Sequence, residues 1–164
     1  MIALAAALAF APAEFALWDL EGTPRTIRPG ESKATAVIFI STVCPVSQEY
    51  EQRYAALFET FSPLGVRFAF VYSNRNEPVP EIRKHSAGFA FPVYRDQGQR
   101  VADLFEAAVT PTAALLNSRG EVVYRGRIDD SAKPARVKDR SLENAIRALL
   151  AGKRIKVRET KAFG

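Results

Sequence analysis

The chain has 164 residues, of which 48% are hydrophobic and 25% charged, a composition typical of one compact globular domain. The net charge is +5, but acidic residues are interspersed with the basic ones, so we expect no nucleic-acid partner. A single cysteine excludes an internal disulfide. One histidine without a Cys/His cluster argues against a zinc site, and we expect neither a metal nor another cofactor.

The first thirteen residues have the features of a secretory signal. Residues 2–13 are apolar, too short for the ~20 residues of a membrane span, and end in Ala-Pro-Ala, which is typical of a cleavage site. We therefore expect export to the periplasm or another extracytoplasmic space, with no integral membrane span. No basic residue precedes the apolar stretch, so a truncated start remains an alternative. In the other alternative the segment packs on the domain as a strand or helix, and the protein is cytoplasmic.

The elements of the first half lead from an opening hairpin to a helix. Apolar residues within 15–20 and 26–27 predict the hairpin. The run 36–40 is apolar on both faces, which predicts a central strand covered by helices on both sides. Residues 41–45 interrupt this run. The following apolar residues recur on one helical face, which places Cys44 near the start of a helix: Tyr50, Tyr54, Leu57, Phe58 and Phe61.

The second half alternates strands and helices and closes with a hairpin and a helix. This order predicts an α/β fold of the three-layer kind, with a mixed sheet between helices, in one domain over 14–152. The tail 153–164 is basic, and we expect it to be solvated. The predicted elements are a strand over 66–72, a helix over 79–86, a strand over 91–94, a helix over about 99–107, strands over 113–116 and 122–128, and a helix over 142–150.

Cys44 is the candidate for chemistry. An apolar strand precedes it, and Pro45 and a helical pattern follow it. Backbone N–H groups at the start of a helix favour an anion, so we expect the thiolate, which is the nucleophilic form in disulfide exchange and peroxide reduction. The alternative is a buried structural cysteine, which is common for this residue type.

Four segments of the chain are distinctive: Phe15-Ala-Leu-Trp-Asp-Leu-Glu-Gly22, Cys44-Pro-Val-Ser47, Val109-Thr-Pro111 and Arg125-Gly-Arg-Ile-Asp-Asp130. Together they resemble the redoxin and alkyl hydroperoxide reductase/thiol-specific antioxidant superfamily, and bacterial redoxin-domain proteins in particular. This resemblance implies a thioredoxin-like fold over about residues 15–150, with Cys44 as the nucleophile and Pro45 as the residue that starts the helix. Thr110 and Pro111 would form the platform that pairs with a disulfide partner, with Pro111 in cis.

The sequence departs from two well-known patterns around Cys44. Dithiol thioredoxins have a second cysteine where this chain has Ser47, so a self-contained dithiol reductase is excluded. We expect Ser47 to cap free helical N–H groups rather than to bond the thiolate. Peroxiredoxins have Pro and Thr where this chain has Val37 and Ser41. Ser41 replaces that hydroxyl in part, and Thr42 belongs to the same supporting loop.

These features leave three functional hypotheses. The first is a thiol-disulfide oxidoreductase in which Cys44 attacks a partner disulfide and an external thiol releases it. The second is a one-cysteine peroxidase with a sulfenic acid intermediate. The third is a peptide-binding module without turnover.

Similar redoxin-domain chains continue past Lys-Ala-Phe-Gly to a further cysteine, so the resemblance also leaves open that a resolving thiol follows Gly164.

Four other polar residues carry weaker predictions. We expect His85 to be a surface side chain, because Arg83 and Lys84 precede it on a polar helix. Asp129 and Asp130 follow a strand and are interpreted as turn formers. Glu49 is expected to point away from the sulfur of Cys44.

The hypotheses for Cys44 as a nucleophile imply as partners a disulfide-bearing protein, a small thiol or a peroxide.

Overall fold

The computed structural model describes residues 14–164, so the signal predicted over 2–13 lies outside the described residues. The strands are β1 (Phe15–Trp18), β2 (Pro24–Ile27), β3 (Ala34–Ile40), β4 (Val66–Tyr72), β5 (Val93–Arg95), β6 (Thr112–Asn117) and β7 (Val122–Gly126). The helices are α1 (Pro45–Glu49), α2 (Glu51–Phe61), α3 (Val79–Ser86), α4 (Arg100–Leu104) and α5 (Ser141–Leu150).

The strands form one mixed sheet in the order β2-β1-β5-β4-β3-β6-β7. β3, β4 and β5 run parallel, while β6 and β7 form an antiparallel hairpin beside β3 and the β1–β2 hairpin is antiparallel to β5. This arrangement confirms the predicted α/β fold with a mixed sheet and an opening hairpin.

β3 lies in the middle of the sheet and is buried at every position. Because side chains alternate along a strand, Ala36 and Ile38 face the core under α2, α3 and α5. Val37 and Phe39 face the second core, which includes residues of α4. Two separate cores explain why this strand is apolar on both faces, and they confirm that helices cover both sides of the sheet.

The helix predicted after Cys44 is divided into two at Tyr50. This residue has φ −94° and ψ −7°, and its backbone N–H bonds to Ser47 at 3.1 Å. The Tyr50 side chain is buried, with its hydroxyl on Asp129, so a tertiary contact coincides with the break in the helix.

Two predicted elements end earlier than expected, one two residues before a residue with positive φ and the other at such a residue. The helix predicted to reach residue 107 stops at Leu104, and Glu106 has φ 54°. The strand predicted to reach residue 128 stops at Gly126, which has φ 143°. In residues 14–164 there is no helix of sufficient length and hydrophobicity to cross a membrane.

Candidate active site

Cys44 lies at the point where the chain leaves the sheet. β3 ends at Ile40, and a short loop leads to Cys44, which occupies the N-cap position of α1 in an extended conformation (φ −85°, ψ 113°). Pro45 is the first residue of α1, where its missing N–H removes no helical hydrogen bond. The side chain of Cys44 is partly exposed, so the chain has placed its only thiol within reach of solvent.

The loop before β6 faces Cys44 from the other side. The Cys44 thiol donates a 3.3 Å hydrogen bond to the carbonyl oxygen of Thr110, and the Thr110–Pro111 peptide bond is cis. Between the two loops lies a cleft of about 310 Å³. Its lining includes Ser41, Cys44, Ser73, Gln99, Thr110 and Gly164. The structure thus brings Cys44 and Thr110, which are 66 positions apart in the sequence, into direct contact.

Glu77 holds the loop before Cys44 and was not foreseen from the sequence. Its Oε1 accepts hydrogen bonds from the Ser41 hydroxyl at 2.9 Å, from the Thr42 hydroxyl at 2.7 Å and from the Thr42 backbone N–H. Glu77 is 3% exposed, and its Oε2 accepts no hydrogen bond from the described part of the chain. The sequence did contain one indication of this role. Glu77 follows β4, Cys44 follows β3, and the two strands are parallel neighbours, so both residues lie at the same edge of the sheet.

Ser47 has a different role from the one expected. Its Oγ accepts a 3.1 Å hydrogen bond from the backbone N–H of Ser41 and lies 3.3 Å from the hydroxyl of Tyr54. The prediction that it caps the helix is therefore wrong. Ser47 is 1% exposed, and a hydroxyl buried this deeply is most stable when it bonds the nearest free N–H, which belongs to the loop.

Asp129 is a buried ionic partner rather than only a turn former, which corrects the prediction. It is 4% exposed and accepts hydrogen bonds from the Tyr50 hydroxyl at 2.6 Å and from Arg53 at 2.7 Å. Burial and the Asp129 carboxylate raise the pKa of Tyr50 well above its usual range, so the hydroxyl stays protonated and keeps donating. Asp130 does belong to a turn-like loop, where it accepts from Lys138 N at 2.9 Å.

His85 is also more deeply placed than predicted. Its Nδ1 lies 2.7 Å from the Tyr72 hydroxyl and its Nε2 2.8 Å from Glu51, and its side chain is only 16% exposed. His85 therefore links α3 to β4 and α2 and is not a free surface side chain. The carboxylate of Glu49 pairs with Lys133 at 2.9 Å on the exposed side of the helix.

The end of the described chain reaches the same cleft. Thr160 bonds along β7: its backbone N–H donates to Arg125 O at 3.0 Å, and its hydroxyl accepts from the Arg127 N–H at 3.0 Å. Phe163 lies with its ring centroid 6.4 Å from that of Tyr50, and Gly164 lies against the backbone of Thr110. The five basic residues of the tail are nevertheless exposed: Lys153, Arg154, Lys156, Arg158 and Lys161.

The site thus combines a partly exposed thiol with a neighbouring peptide carbonyl, a buried carboxylate and an open cleft. No group of three His, Cys, Asp or Glu residues suited to a metal ion occurs within residues 14–164. A thiol beside the backbone of a neighbouring loop is suited to reaction with an extended chain that carries a disulfide and pairs with that loop. Fold and site together define a thioredoxin-like redoxin domain.

The chain belongs to the AhpC/TSA family, whose model matches residues 9–125. This match confirms the family resemblance inferred from the sequence. The chain is 32% identical over 111 residues to the thiol-disulfide oxidoreductase ResA of Halalkalibacterium halodurans, an alignment that covers 66% of this chain and 62% of the relative. The alignment therefore spans less than two thirds of that relative's length.

Solved structures give the same assignment of fold. A hypothetical protein from Sinorhizobium meliloti 1021 superimposes with a TM-score of 0.79 at 28% identity, over 94% of this chain and 92% of that one. A thiol:disulfide interchange protein of the thioredoxin family from Chlorobium tepidum TLS superimposes with a TM-score of 0.63 at 19% identity, over 85% of this chain and 96% of that one. The chain is accordingly a redoxin domain similar to thiol-disulfide oxidoreductases.

Proposed function

We propose that this protein is a monothiol thiol-disulfide oxidoreductase in which Cys44 is the nucleophile. The observation that carries the proposal is the position of the Cys44 thiol, which is partly exposed in an open cleft and 3.3 Å from the Thr110 carbonyl oxygen. The similarity to a thiol-disulfide oxidoreductase supports the same reaction.

The proposed reaction has two exchange steps. The Cys44 thiolate attacks one sulfur of the partner disulfide, a Cys44–partner disulfide forms, and the other partner sulfur leaves with the bonding electron pair as a thiolate. A second thiol, from a small molecule or a protein, then attacks the partner sulfur of the mixed disulfide. Cys44 leaves as the thiolate, and the attacking thiol is now disulfide-bonded to the partner. Electrons therefore come from the external thiol, as a chain with one cysteine requires.

The supporting residues have proposed roles that follow from their contacts. Glu77 holds Ser41 and Thr42 and thereby fixes the approach of the loop to Cys44. Pro45 starts α1 immediately after the thiol. The backbone of Thr110 and Pro111 lies beside the sulfur, where an extended partner segment can pair with it. Ser47 stabilises the loop through the N–H of Ser41.

One observation disfavours peroxide reduction. The Ser41 hydroxyl stands where peroxiredoxins have their threonine, but it donates to Glu77 Oε1 at 2.9 Å and accepts from the Val43 N–H at 3.2 Å. A hydroxyl engaged in this way is not free to orient a peroxide without rearrangement. Disulfide exchange needs no such hydroxyl, so the geometry favours it.

We further propose that the partner is a disulfide-bearing protein and that the reaction occurs outside the cytoplasm. The similarity to a thiol-disulfide oxidoreductase supports the partner class. The apolar segment 2–13 with its Ala-Pro-Ala end supports export.

The test is formation of a mixed disulfide with an extended disulfide-bearing peptide, followed by intact-protein mass spectrometry. We expect one adduct, at Cys44, that a small external thiol removes. The reference for the rate is a peptide of residues 40–48, whose cysteine has no fold around it. A rate no faster than that of the reference contradicts the proposal.

Two further arms of this experiment separate the alternatives. Cys44→Ser removes the adduct, and if binding of the peptide nevertheless persists while the parent chain forms no adduct, the binding module is the correct function. Sulfenic acid trapped at Cys44 with low peroxide, in a chain that does not exchange disulfides, identifies a peroxidase.

A further inference from the structure

The segment 158–164, which we call the strap, crosses the groove that a partner of Cys44 would use. It begins beside β7, where Arg158 O accepts from the Arg125 N–H at 3.0 Å and the Thr160 N–H donates to Arg125 O at 3.0 Å. It ends at Gly164, which lines the cleft of Cys44 and lies against the Thr110 backbone. The strap therefore occupies the two backbone surfaces to which an extended peptide could bind.

The contacts of the strap are specific rather than those of a solvated tail. The Thr160 hydroxyl lies 2.6 Å from that of Tyr124 and also accepts from the Arg127 N–H. The Phe163 ring packs at Tyr50. Gly126 has φ 143°, and a Cβ there would overlap Thr160, so β7 has its glycine where the strap approaches most closely. Glu159 and Lys161 are exposed on either side of the partly buried Thr160, and Glu159 forms a parallel β-bridge with Arg125, so this part of the strap pairs with β7 as an added strand would.

We propose that the strap is an intramolecular occupant of the partner groove and that it must leave before an extended disulfide-bearing segment reacts with Cys44. This inference rests on the proposed function for its consequence, but the occupancy itself is independent of redox chemistry. The thiol stays partly exposed beneath the strap, so a small reagent reaches Cys44 in either state. An extended partner competes with the strap. Its apparent affinity is its intrinsic affinity multiplied by the fraction of molecules in which the strap has left the groove.

The kinetic test uses the full chain with Thr160→Ala and Phe163→Ala combined, which removes the two side-chain anchors. Lys161→Ala is the matched control, because it is an exposed residue of the same segment. We expect the double variant to form the mixed disulfide with an extended peptide at least about fivefold faster, because a larger fraction of molecules is unstrapped. The rate with iodoacetamide should not change in either variant.

The second measurement reads occupancy without exchange. A labelled peptide Arg-Glu-Thr-Lys-Ala-Phe-Gly, which copies the strap, is added to chains that carry Cys44→Ser, and fluorescence anisotropy measures binding. We expect binding to the double variant and much weaker binding to the parent and to Lys161→Ala. Thermal unfolding verifies that the double variant is folded.

The outcomes are distinguishable. The proposal about the strap is wrong if parent and double variant form the mixed disulfide with the peptide at equal rates and the strap peptide does not bind to the folded double variant. Binding of the strap peptide to the double variant, in a protein that never forms a mixed disulfide, supports the strap and refutes the proposed function. If the double variant reacts faster with both the peptide and iodoacetamide by the same factor, the structure around Cys44 has loosened and no competitor has been released. This result also overturns the proposal.

Discussion

The thiol of Cys44 donates a hydrogen bond of 3.3 Å to the carbonyl oxygen of Thr110, a residue 66 positions later in the chain. The contact joins the end of β3 to the loop before β6, which are neighbouring strands of the sheet. The carbonyl belongs to the backbone, so no substitution of the Thr110 side chain removes it. A peptide that pairs with this loop is thereby brought within reach of the sulfur.

The first prediction concerns Ser47, the position of the second cysteine in dithiol relatives. Ser47→Cys places a thiol one turn after Cys44 on the helix, and its somewhat larger sulfur replaces the buried hydroxyl that accepts from the Ser41 N–H. We expect an internal disulfide between Cys44 and the introduced thiol, and peptide reduction that no longer requires an external thiol in the second step.

The measurement for this prediction is the number of free thiols after mild oxidation. Mass spectrometry after one round of reaction between the reduced protein and the disulfide-bearing peptide then shows whether the internal disulfide has formed. The matched control is Ser86→Cys on α3, where the native Ser86 hydroxyl donates to Ile82 O. This variant should keep two free thiols. A Ser47→Cys chain that retains two free thiols under oxidation would show that the two side chains diverge.

The second prediction concerns Glu77. Glu77→Ala leaves the donors of Ser41 and Thr42 without their buried acceptor, so we expect a loss of about 2–4 kcal/mol in the free energy of unfolding. The loop should also lose its fixed geometry, and Cys44 should exchange disulfides more slowly. Urea denaturation and the mixed-disulfide rate measure the two effects.

Two variants control for other causes in this experiment. Glu81→Ala removes an exposed acid from the first turn of α3 and should cost less than about 1 kcal/mol. Glu77→Gln keeps an oxygen that accepts hydrogen bonds and should restore most of the rate. If Glu77→Ala is as stable as Glu81→Ala, the buried carboxylate does not hold the loop.

Local patterns predicted elements well and tertiary contacts poorly. β4 and α3 have the predicted bounds, because Gly65 and Pro78 delimit short apolar or amphipathic runs within the sequence itself. Glu77 and Ser41 are 36 positions apart, and Arg53 and Asp129 are 76 apart, so neither pair has a local spacing that identifies it. For Glu77 the only indication was its position after β4, at the sheet edge where β3 also ends. The position of Cys44 at the start of a helix could be predicted because the strand before it and Pro45 after it are local features.

The third prediction concerns the ion pair between α2 and the loop after β7. Asp129→Ala leaves the Arg53 guanidinium without its carboxylate and the Tyr50 hydroxyl without its acceptor, both in a largely buried setting. We expect a loss of about 3 kcal/mol in the free energy of unfolding. Lys133→Ala breaks the exposed pair with Glu49 nearby and should cost less than about 1 kcal/mol.

The measurement is urea denaturation of both variants, accompanied by the mixed-disulfide rate. Asp129 bonds Tyr50 and Arg53, and none of these three residues lines the Cys44 cleft, so the mixed-disulfide rate of the folded fraction at low temperature should change little. Similar stability losses in the two variants would mean that Asp129 is no more important than a surface charge.

The last prediction compares two glycines that share a positive φ but differ in surroundings. Gly126 has φ 143°, and a Cβ there would overlap the side chain and carbonyl of Thr160, whereas Gly22 has φ 84° with open space around it. Gly22→Ala should cost about 1 kcal/mol, which is the strain of the left-handed region alone. Gly126→Ala should cost about 3 kcal/mol or more, since this backbone region admits little besides glycine and the strap is also displaced.

The excess cost of Gly126→Ala has a kinetic counterpart. If the added methyl group pushes the strap from β7, the extended disulfide-bearing peptide should react faster at Cys44 while iodoacetamide reacts at the parent rate. Gly22→Ala should leave both rates unchanged, because Gly22 lies in the β1–β2 hairpin across the sheet from β7. Equal stability losses for the two glycine variants, with no change in peptide reactivity, would show that Thr160 does not press on Gly126 in solution.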